Sequence, residues 1–331
     1  MPTPQTIPAG VRAISFNRAL LLSAVACLFA HPLFAQEAVS NSSATTASVV
    51  VTGEELPSAY GAPPSFSRTR FSNLTNAYVL PPGGVYAGFV YQGNALRFNR
   101  PDHMFTQEIE VGLPYRFGLA VENSVEAYRG EVQERTFSVE LRYALADWNK
   151  IPLNPTLFVE YKAGIGAIFS EEGPPEPLPK GEAEEFLAER NPLPDAFEVR
   201  LLLAQDFGEH FEWALNGFFE QEVGGDRGRE YGFSQSALVP IIAKRERLKV
   251  GAEMLFTAFT DKGIRNDPSY RCVIGPTIAW KPSAQTRVDL SALFGVTDDS
   301  PRASIFAVVS YVFGPGSERK EAEVPASTRN R

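Results

Sequence analysis

The chain has 331 residues, of which 44% are apolar, including 24 Phe and 11 Tyr. This composition excludes an intrinsically disordered protein and supplies enough apolar surface for a large folded domain. The 31 Lys and Arg residues against 39 Asp and Glu residues give a net charge of -8, which excludes a nucleic-acid-binding surface built from clustered cations.

Residues 1–35 have the pattern of a secretory signal peptide. Arg12 and Arg18 form a basic start, residues 19–30 form a short apolar stretch, and small residues permit cleavage after Ala35. The pattern therefore predicts a protein that is exported from the cytoplasm.

The two cysteines bear on processing and on the fold. Cys27 offers an alternative to peptide cleavage, lipoprotein processing, because the residues before it loosely fit a lipobox. Cleavage after Ala35 leaves only Cys272, which cannot form an internal disulfide. Because no later apolar run approaches the roughly 20 residues of a membrane helix, membrane insertion would require a closed barrel.

Residues 36–83 are rich in Ser, Thr, Ala and Pro, and we interpret them as a disordered periplasmic arm. Within the arm, the stretch SVVVTG resembles the energy-coupling box of TonB-dependent outer-membrane receptors. The resemblance implies a TonB-like periplasmic partner that would pair with Val49, Val50, Val51, Thr52 and Gly53 as an added strand. The alternative is a β-prone piece of the arm that tucks under the barrel against Phe306 and Val308.

From Val85 to Phe313 the sequence alternates apolar and polar residues in segments of about ten, which turn residues separate. In residues 137–145, for example, Phe, Val, Leu, Tyr and Leu alternate with Ser, Glu, Arg and Ala. A period of two predicts strands, since a helix would repeat near 3.6 residues. The predicted strand centres are Phe89, Ile109, Val121, Leu141, Ala163, Leu201, Leu215, Ala237, Met254, Ile274, Leu290 and Val309.

The fold class predicted by this pattern is all-β: a closed antiparallel up-and-down transmembrane β-barrel of about 12 strands over residues 84–314. A disordered polar tail, residues 315–331, follows it. Connection lengths support the prediction, because short turns alternate with longer polar connections, as in bacterial outer-membrane barrels. The longest connection, 170–195, falls at a predicted extracellular position.

Charged residues occupy the face of the strands that lies opposite the apolar face. Because lipid contact would cost several kcal/mol for each charge, we expect these side chains to line the lumen. Two roles remain open: a ladder of ion pairs that supports the wall, or a polar path that favours cations or neutral polar solutes. The candidate lumen-lining residues are Glu108, Glu122, Glu126, Glu140, Arg142, Glu160, Lys162, Glu198, Arg200, Lys249, Glu253, Arg271, Arg287 and Asp289.

Aromatic residues near the predicted periplasmic strand ends are typical of a membrane-interface girdle. The last strand, ASIFAVVSYVF, resembles the aromatic-ended closing strand that the barrel assembly machinery recognises, and it directs Phe306 and Val308 inward. The girdle candidates are Trp148, Phe211, Trp213, Trp280 and Phe313.

The sequence predicts no catalytic residue, no metal site and no cofactor. His103 is expected in an outer loop and His210 in a periplasmic turn, so the two could not share a metal or a proton relay. A lipid-active enzyme with a Ser–His pair on the outer face of the barrel remains an alternative, for which Ser170, Ser234 and Ser236 are available.

The stretch NAYVLPPGGVYAGFVYQ, residues 76–92, resembles the first strand of a family of outer-membrane proteins associated with aromatic-compound (phenol meta-pathway) degradation. In that family a Leu-Pro-x-Gly turn leads into the strand. The resemblance implies a Gram-negative outer-membrane protein that passes or binds small solutes, without catalysis. A second expectation is a structural or interaction protein with a closed lumen and an acidic extracellular loop.

Overall fold

The computed structural model describes residues 75–97, 101–128, 131–167, 192–207, 211–241, 248–263, 265–283 and 285–314. Twelve strands, β1 to β12, account for most of these residues. In chain order they are Val85–Ala95, Asp102–Leu113, Phe117–Tyr128, Glu131–Ala144, Thr156–Gly164, Ala196–Phe207, Phe211–Glu222, Arg229–Pro240, Leu248–Thr260, Ser269–Trp280, Thr286–Gly295 and Ala303–Phe313.

The strands form a closed antiparallel barrel in which each strand pairs with its sequence neighbours and β1 pairs with β12. The closing register runs from Val85 opposite Phe313 to Ala95 opposite Ala303. Closure leaves no free sheet edge, so every strand has partners on both sides. The predicted fold class is therefore confirmed, and all twelve predicted strand centres lie within strands.

The alternation of apolar and polar residues separates two faces of the wall. Apolar side chains such as Val139 and Leu141 are exposed on the outside, whereas the intervening Ser138, Glu140 and Arg142 are buried. An exposed apolar band around a closed barrel is the surface that contacts lipid in outer-membrane proteins. Among the described residues, no helix has the length and apolar character needed to span a membrane.

The two ends of the barrel differ in their connections. We name the end where β1 begins and β12 ends the terminus end, and the opposite end the far end. Terminus-end connections other than 145–155 and 241–247 have three to five residues, whereas far-end connections other than 129–130 have six or more. The connection 165–195 is the longest, and it lies at the far end, as expected.

Hydrogen bonds anchor the far-end connection 165–195 where it returns to the barrel. The Tyr161 hydroxyl donates to the Asp195 carboxylate over 2.6 Å, and the Gly164 backbone N–H donates to it over 2.9 Å. These two bonds hold the pKa of the Asp195 carboxyl below its usual value, because they stabilise the charged form.

A tight turn leads the chain into β1. The Gly84 N–H donates to the Pro81 carbonyl over 2.8 Å, and Gly83 has a φ of 81°. A turn with positive φ at its third residue favours glycine, which explains the Leu-Pro-x-Gly pattern at this point.

Candidate functional site: the barrel lumen

The inner face of the barrel collects the charged side chains that the alternation assigned to it. Twelve of them are buried or line a central cavity, Glu126 is half-buried beside Arg135, and Arg271 is exposed in the far-end mouth. The structure thus brings together around one lumen all fourteen candidates, which come from β2 to β6 and β9 to β11: Glu108, Glu122, Glu126, Glu140, Arg142, Glu160, Lys162, Glu198, Arg200, Lys249, Glu253, Arg271, Arg287 and Asp289.

The end of the N-terminal arm lies inside the barrel. Residues 75 and 77–80 are each no more than 6% exposed, and they precede the turn into β1. We call residues 75–80 the arm segment. For residues 75–80 this arrangement differs from the sequence interpretation, which placed residues 36–83 outside the barrel, because strand periodicity carries no information about a segment that lies in the lumen without pairing.

Polar contacts fix Thr75 and Ala77 of the arm segment to the wall. Arg200 donates to the Thr75 hydroxyl over 2.7 Å, and the Asn216 amide donates to the Thr75 carbonyl over 3.2 Å. The Thr156 hydroxyl donates to the Ala77 carbonyl over 2.7 Å. These bonds satisfy backbone and side-chain groups that would otherwise be buried without partners.

Two glycines of the wall leave room for the arm segment. A Cβ atom on Gly112 would lie 2.1 Å from the Pro81 carbonyl oxygen and 2.4 Å from that of Leu80. A Cβ atom on Gly118 would lie 3.3 Å from Val79. The close backbone approach at Gly112 therefore requires glycine, and a larger residue there would displace the arm segment.

An apolar cluster closes the terminus end of the lumen around the arm segment. Tyr78 and Leu80 pack there with inward side chains of the wall, among them Phe158, Leu202 and Leu238. Trp148, in the connection 145–155, is 5% exposed, and its ring meets Tyr78 edge-on at 5.6 Å. The assignment of Trp148 to the membrane girdle is therefore wrong, because this connection folds inward over the lumen.

The remaining girdle candidates and the closing strand behave differently from Trp148. Phe211, Trp280 and Phe313 are exposed near the terminus end, as a girdle requires, and Trp213 is half-buried. Phe306 is buried and faces inward, but it packs with Val273, Leu293 and Leu255. The predicted contact of residues 48–53 with Phe306 and Val308 lies outside the described residues.

Arg142 organises the largest buried ion cluster. Its guanidinium donates to Glu110 and Glu140 over 2.6 Å and to Glu108 over 2.8 Å, and all four side chains are no more than 3% exposed. Carboxylate oxygens of Glu108, Glu122 and Glu140 also converge within 4.8 Å of one another. Because Arg142 supplies the positive charge between Glu108 and Glu140, the cluster is explained as an ion-pair lattice.

Two further buried ion pairs lie toward the terminus end. Arg287 donates to both carboxylate oxygens of Asp289 over 2.7–2.9 Å. Lys249 pairs with Glu212 across β7 and β9. Both pairs are almost completely removed from solvent, so their role is to neutralise charge within the wall.

Nearer the far end, the ion pairs border open space. Lys162 donates to Glu198 over 2.6 Å and to Glu220 over 2.5 Å, and its side chain is 22% exposed. Arg200 pairs with Glu198 and lies over the Phe158 ring at 5.0 Å. Lys162, Glu198, Arg200 and Glu220 line a cavity of about 440 Å³ that extends to Thr75. We call it the inner cavity.

A second cavity, of about 530 Å³, continues the inner cavity to the far-end mouth. We call it the outer cavity; it shares Gln92, Glu230, Leu255, Thr257 and Phe306 with the inner one. Among the described residues, the inner cavity is lined by six carboxylates and three cations, and the outer cavity by four carboxylates and two cations. Carboxylates therefore outnumber cations in the described lining of both cavities.

Sequence reasoning missed one cation of the inner cavity, Arg135. The register of β3 and β4 shifts between Ser124 and Val125, which leaves Arg135 as an extra residue in β4. The bulge directs the Arg135 side chain to Glu126, at 2.7 Å, and into the cavity. A strict period of two breaks at such a bulge, so no alternation pattern could have found this residue.

His103 was expected in a loop, but it lies in β2. His103 lies on the outer face of the barrel beside Tyr91 of β1, whose hydroxyl is 2.9 Å from Nδ1 of His103. Ser234 and Ser236 are buried on the inner face. Within the described residues, His103 and a serine therefore do not form a nucleophile–base pair; Ser170, His210 and residues 49–53 lie outside the described residues.

The comparisons with known proteins concern the fold. No family model matches the chain, and no curated protein matches it in sequence. The structure of the COG4313 outer membrane channel from Pseudomonas putida F1 is similar with a TM-score of 0.50 at 12% identity, covering 73% of this chain and 99% of that one.

Two porin structures are also similar. The KdgM porin has a TM-score of 0.42 at 10% identity, covering 69% of this chain and 99% of that one. The NanC porin has a TM-score of 0.42 at 9% identity, covering 69% and 98%. At 12% identity, the likeness to the channel structure shows the fold alone, which is that of an outer-membrane β-barrel.

Proposed function

We propose that this protein is an outer-membrane channel that passes small polar or aromatic solutes through its charged lumen without catalysis. The observation that carries the proposal is the pair of connected cavities, which lead from the far-end mouth to Thr75 between charged walls. Its terminus end would face the periplasm and its exposed apolar band the lipid, as in other barrels of this kind.

The arm segment fills the lumen at its terminus end, so the proposed channel would be closed in this arrangement. Passage requires the arm segment to leave the apolar cluster around Tyr78 and Leu80. The arm segment, residues 75–80, forms no strand pairing with the wall, so its release would break no ladder of backbone hydrogen bonds. A gate of this type can open while the barrel stays intact.

Planar-bilayer recording tests the channel and its gate together. We expect the wild-type protein to open rarely and Gly112→Val to conduct persistently, because the added side chain occupies the place of the Leu80 and Pro81 carbonyls. Gly217→Val is the matched control, since nothing lies within 4 Å of a Cβ atom there. If Gly112→Val folds and carries neither current nor solute, the channel proposal is wrong.

The solute class can be tested in the same preparation. Phe218, Phe306 and Met104 lie among the charged groups of the inner cavity, so it offers apolar contacts beside polar ones. This mixture suits a small aromatic solute with polar substituents, in line with the resemblance to the aromatic-degradation family. Liposomes containing Gly112→Val should take up phenol derivatives faster than similarly sized anionic sugars.

The closed terminus end also favours a second candidate function, a structural or interaction protein with an acidic extracellular loop. Residues 170–195 carry this acidic character in sequence. Deleting the loop would then abolish binding to a partner surface and leave bilayer behaviour unchanged. A lipid-active enzyme is a further alternative, which loss of lipase activity on replacing Ser170 would support, since Ser234 and Ser236 are buried on the inner face.

Coupling to a TonB-like periplasmic protein remains a prediction for residues 49–53. Proline cannot donate a backbone hydrogen bond to a neighbouring strand. Val50→Pro should therefore abolish pull-down of the chain by a purified TonB C-terminal domain, whereas Val50→Thr should preserve it. Equal binding of both variants would exclude strand addition at this stretch.

A further inference from the structure

Arg200 lines the inner cavity in a fixed position. Its Nε donates to Glu198, and its Nη1 donates to the Thr75 hydroxyl over 2.7 Å. The guanidinium also lies 5.0 Å from the ring centroid of Phe158 and 5.9 Å from that of Phe218. Because hydrogen bonds and ring contacts both hold this planar group, its remaining donor keeps one orientation.

The other terminal nitrogen of Arg200 is left for a further partner. Within the described residues, Nη2 makes no hydrogen bond. The side chain is 21% exposed and borders the inner cavity, from which a solute would reach it. Because a guanidinium has donors and no acceptor, the group that satisfies Nη2 must be a hydrogen-bond acceptor.

The apolar side chains around Arg200 favour an aromatic ring beside that acceptor. Phe218 lies directly opposite Arg200 on β7 and lines the same cavity, as do Met104, Leu255 and Phe306. Pockets for small molecules combine an apolar lining with a few polar groups that fix the orientation of the ligand. The cavity volume of about 440 Å³ falls in the range of such pockets.

The charges of the inner cavity indicate that the acceptor is neutral. Six carboxylates and three cations line it among the described residues. Lys162 already pairs with Glu198 and Glu220, and Arg200 with the first of these. A solute carboxylate would therefore compete with carboxylates of the wall and add negative charge beside them. A hydroxyl or carbonyl oxygen accepts from Nη2 without adding charge, whereas an ammonium group offers no acceptor.

We propose that Arg200 recognises the solute of the inner cavity, and that this solute is a neutral aromatic compound. Its oxygen accepts a hydrogen bond from Nη2, and its ring packs against Phe218. The proposal deepens the proposed channel function and rests on it. The inner cavity extends to Thr75, so a solute held by Arg200 lies beside the arm segment and would pass the terminus end when that segment leaves.

Calorimetric titration of the full-length protein in detergent micelles tests this site, with the heat of protein-free micelles subtracted. The probes are acetophenone, which has a carbonyl oxygen, and α-methylstyrene, which has a methylene group in its place. We expect acetophenone to bind at least about tenfold more tightly, because only the ketone satisfies the charged donor at Nη2. Equal affinities would overturn the proposal without recourse to any variant.

Two arginine variants locate the donor. Arg200→Met should weaken the binding of acetophenone at least about tenfold and leave that of α-methylstyrene nearly unchanged. Arg135→Met is the matched control, because Arg135 is a second arginine of the same cavity and pairs with Glu126. It should leave both affinities unchanged. An equal loss of acetophenone binding in the two variants, or no loss in Arg200→Met, would contradict the assignment.

Phe218→Leu tests the place of the ring independently of the donor. It should weaken both probes by a similar factor, because it removes the aromatic face and keeps an apolar side chain. Unchanged binding of both probes would show that the ring does not lie against Phe218. Heat-modifiable migration on gels confirms that each variant is folded.

Benzoate, an anion of similar size, tests the charge of the solute. It should bind more weakly than acetophenone, and tighter binding would make this a site for anions. None of these titrations requires transport. Binding that depends on Arg200, together with an absence of current in Gly112→Val, would retain the site and reject the channel; current without such binding would do the reverse.

Discussion

The two halves of the lumen contain the same residue types in different surroundings. In the half toward the terminus end, which we call the sealed half, Arg142 and its three glutamates are no more than 3% exposed. In the half toward the far end, the cavity half, the cations Lys162 and Arg135 are 22% and 26% exposed. An ion pair in the lumen therefore does not have one role: burial decides whether it is part of the wall or open to a solute.

The difference follows from desolvation. A fully buried charge cannot exchange its partner for water or a solute without a large cost, so the pairs of the sealed half are permanent. In the cavity half, water reaches one side of each pair, which makes the interaction weak enough to be shared with a passing group. The arm segment creates this asymmetry, because it excludes water from the terminus end.

Replacing Arg142 should cause the largest loss of stability, because its ion pairs lie in the sealed half. Arg142→Met removes the cation from between Glu108, Glu110 and Glu140 and leaves buried carboxylates without it. We expect a loss of about 3–5 kcal/mol in the free energy of unfolding, measured by urea denaturation in detergent micelles.

Arg135→Met is the matched control in the cavity half. Its partner Glu126 is 14% exposed and Arg135 itself 26%, so water can replace the lost ion pair. The expected loss is about 1 kcal/mol or less. Equal losses for the two variants would show that the arm segment does not exclude water from the sealed half.

Trp148→Ala should loosen the arm segment. It removes the edge-on contact with Tyr78 and a large buried side chain from the apolar cluster. Chymotrypsin cleavage after Tyr78, which requires release of the arm, should then be at least about tenfold faster, because each 1.4 kcal/mol changes a population tenfold. Trp280→Ala is the control: Trp280 is 50% exposed, and cleavage should be unchanged.

The sequence predicts the wall of this barrel better than the contents of its lumen. The outward Val139 and Leu141 and the inward Glu140 and Arg142 follow from a local period of two, since successive strand residues point to opposite faces. The position of Trp148 depends instead on how the connection 145–155 folds against the arm, a contact between distant parts of the chain.

The arm segment has no such periodic signal. It pairs with no strand, and its fit depends on the absence of a side chain at Gly112 and on a hydroxyl at Thr156. Each is unremarkable in sequence, because glycine and threonine are common on barrel strands. Only the folded barrel shows that Gly112 and Thr156 face the same chain segment, so the sequence alone does not predict this packing.

The smallest predicted effect concerns the point where the two halves meet. Thr75→Val removes the hydroxyl that accepts from Arg200 but keeps the shape and the carbonyl bond from Asn216. Arg200 is 21% exposed and retains Glu198 as a partner, so water can replace the lost acceptor and the cost should be about 1 kcal/mol. Cleavage after Tyr78 should therefore be only about fivefold faster, and Thr75→Ser, which keeps the hydroxyl, should match the wild type. A larger effect in Thr75→Val would mean that this single hydrogen bond, and not the apolar cluster at the terminus end, retains the arm segment. The arm segment would then be held mainly by a polar contact at the boundary between the two halves.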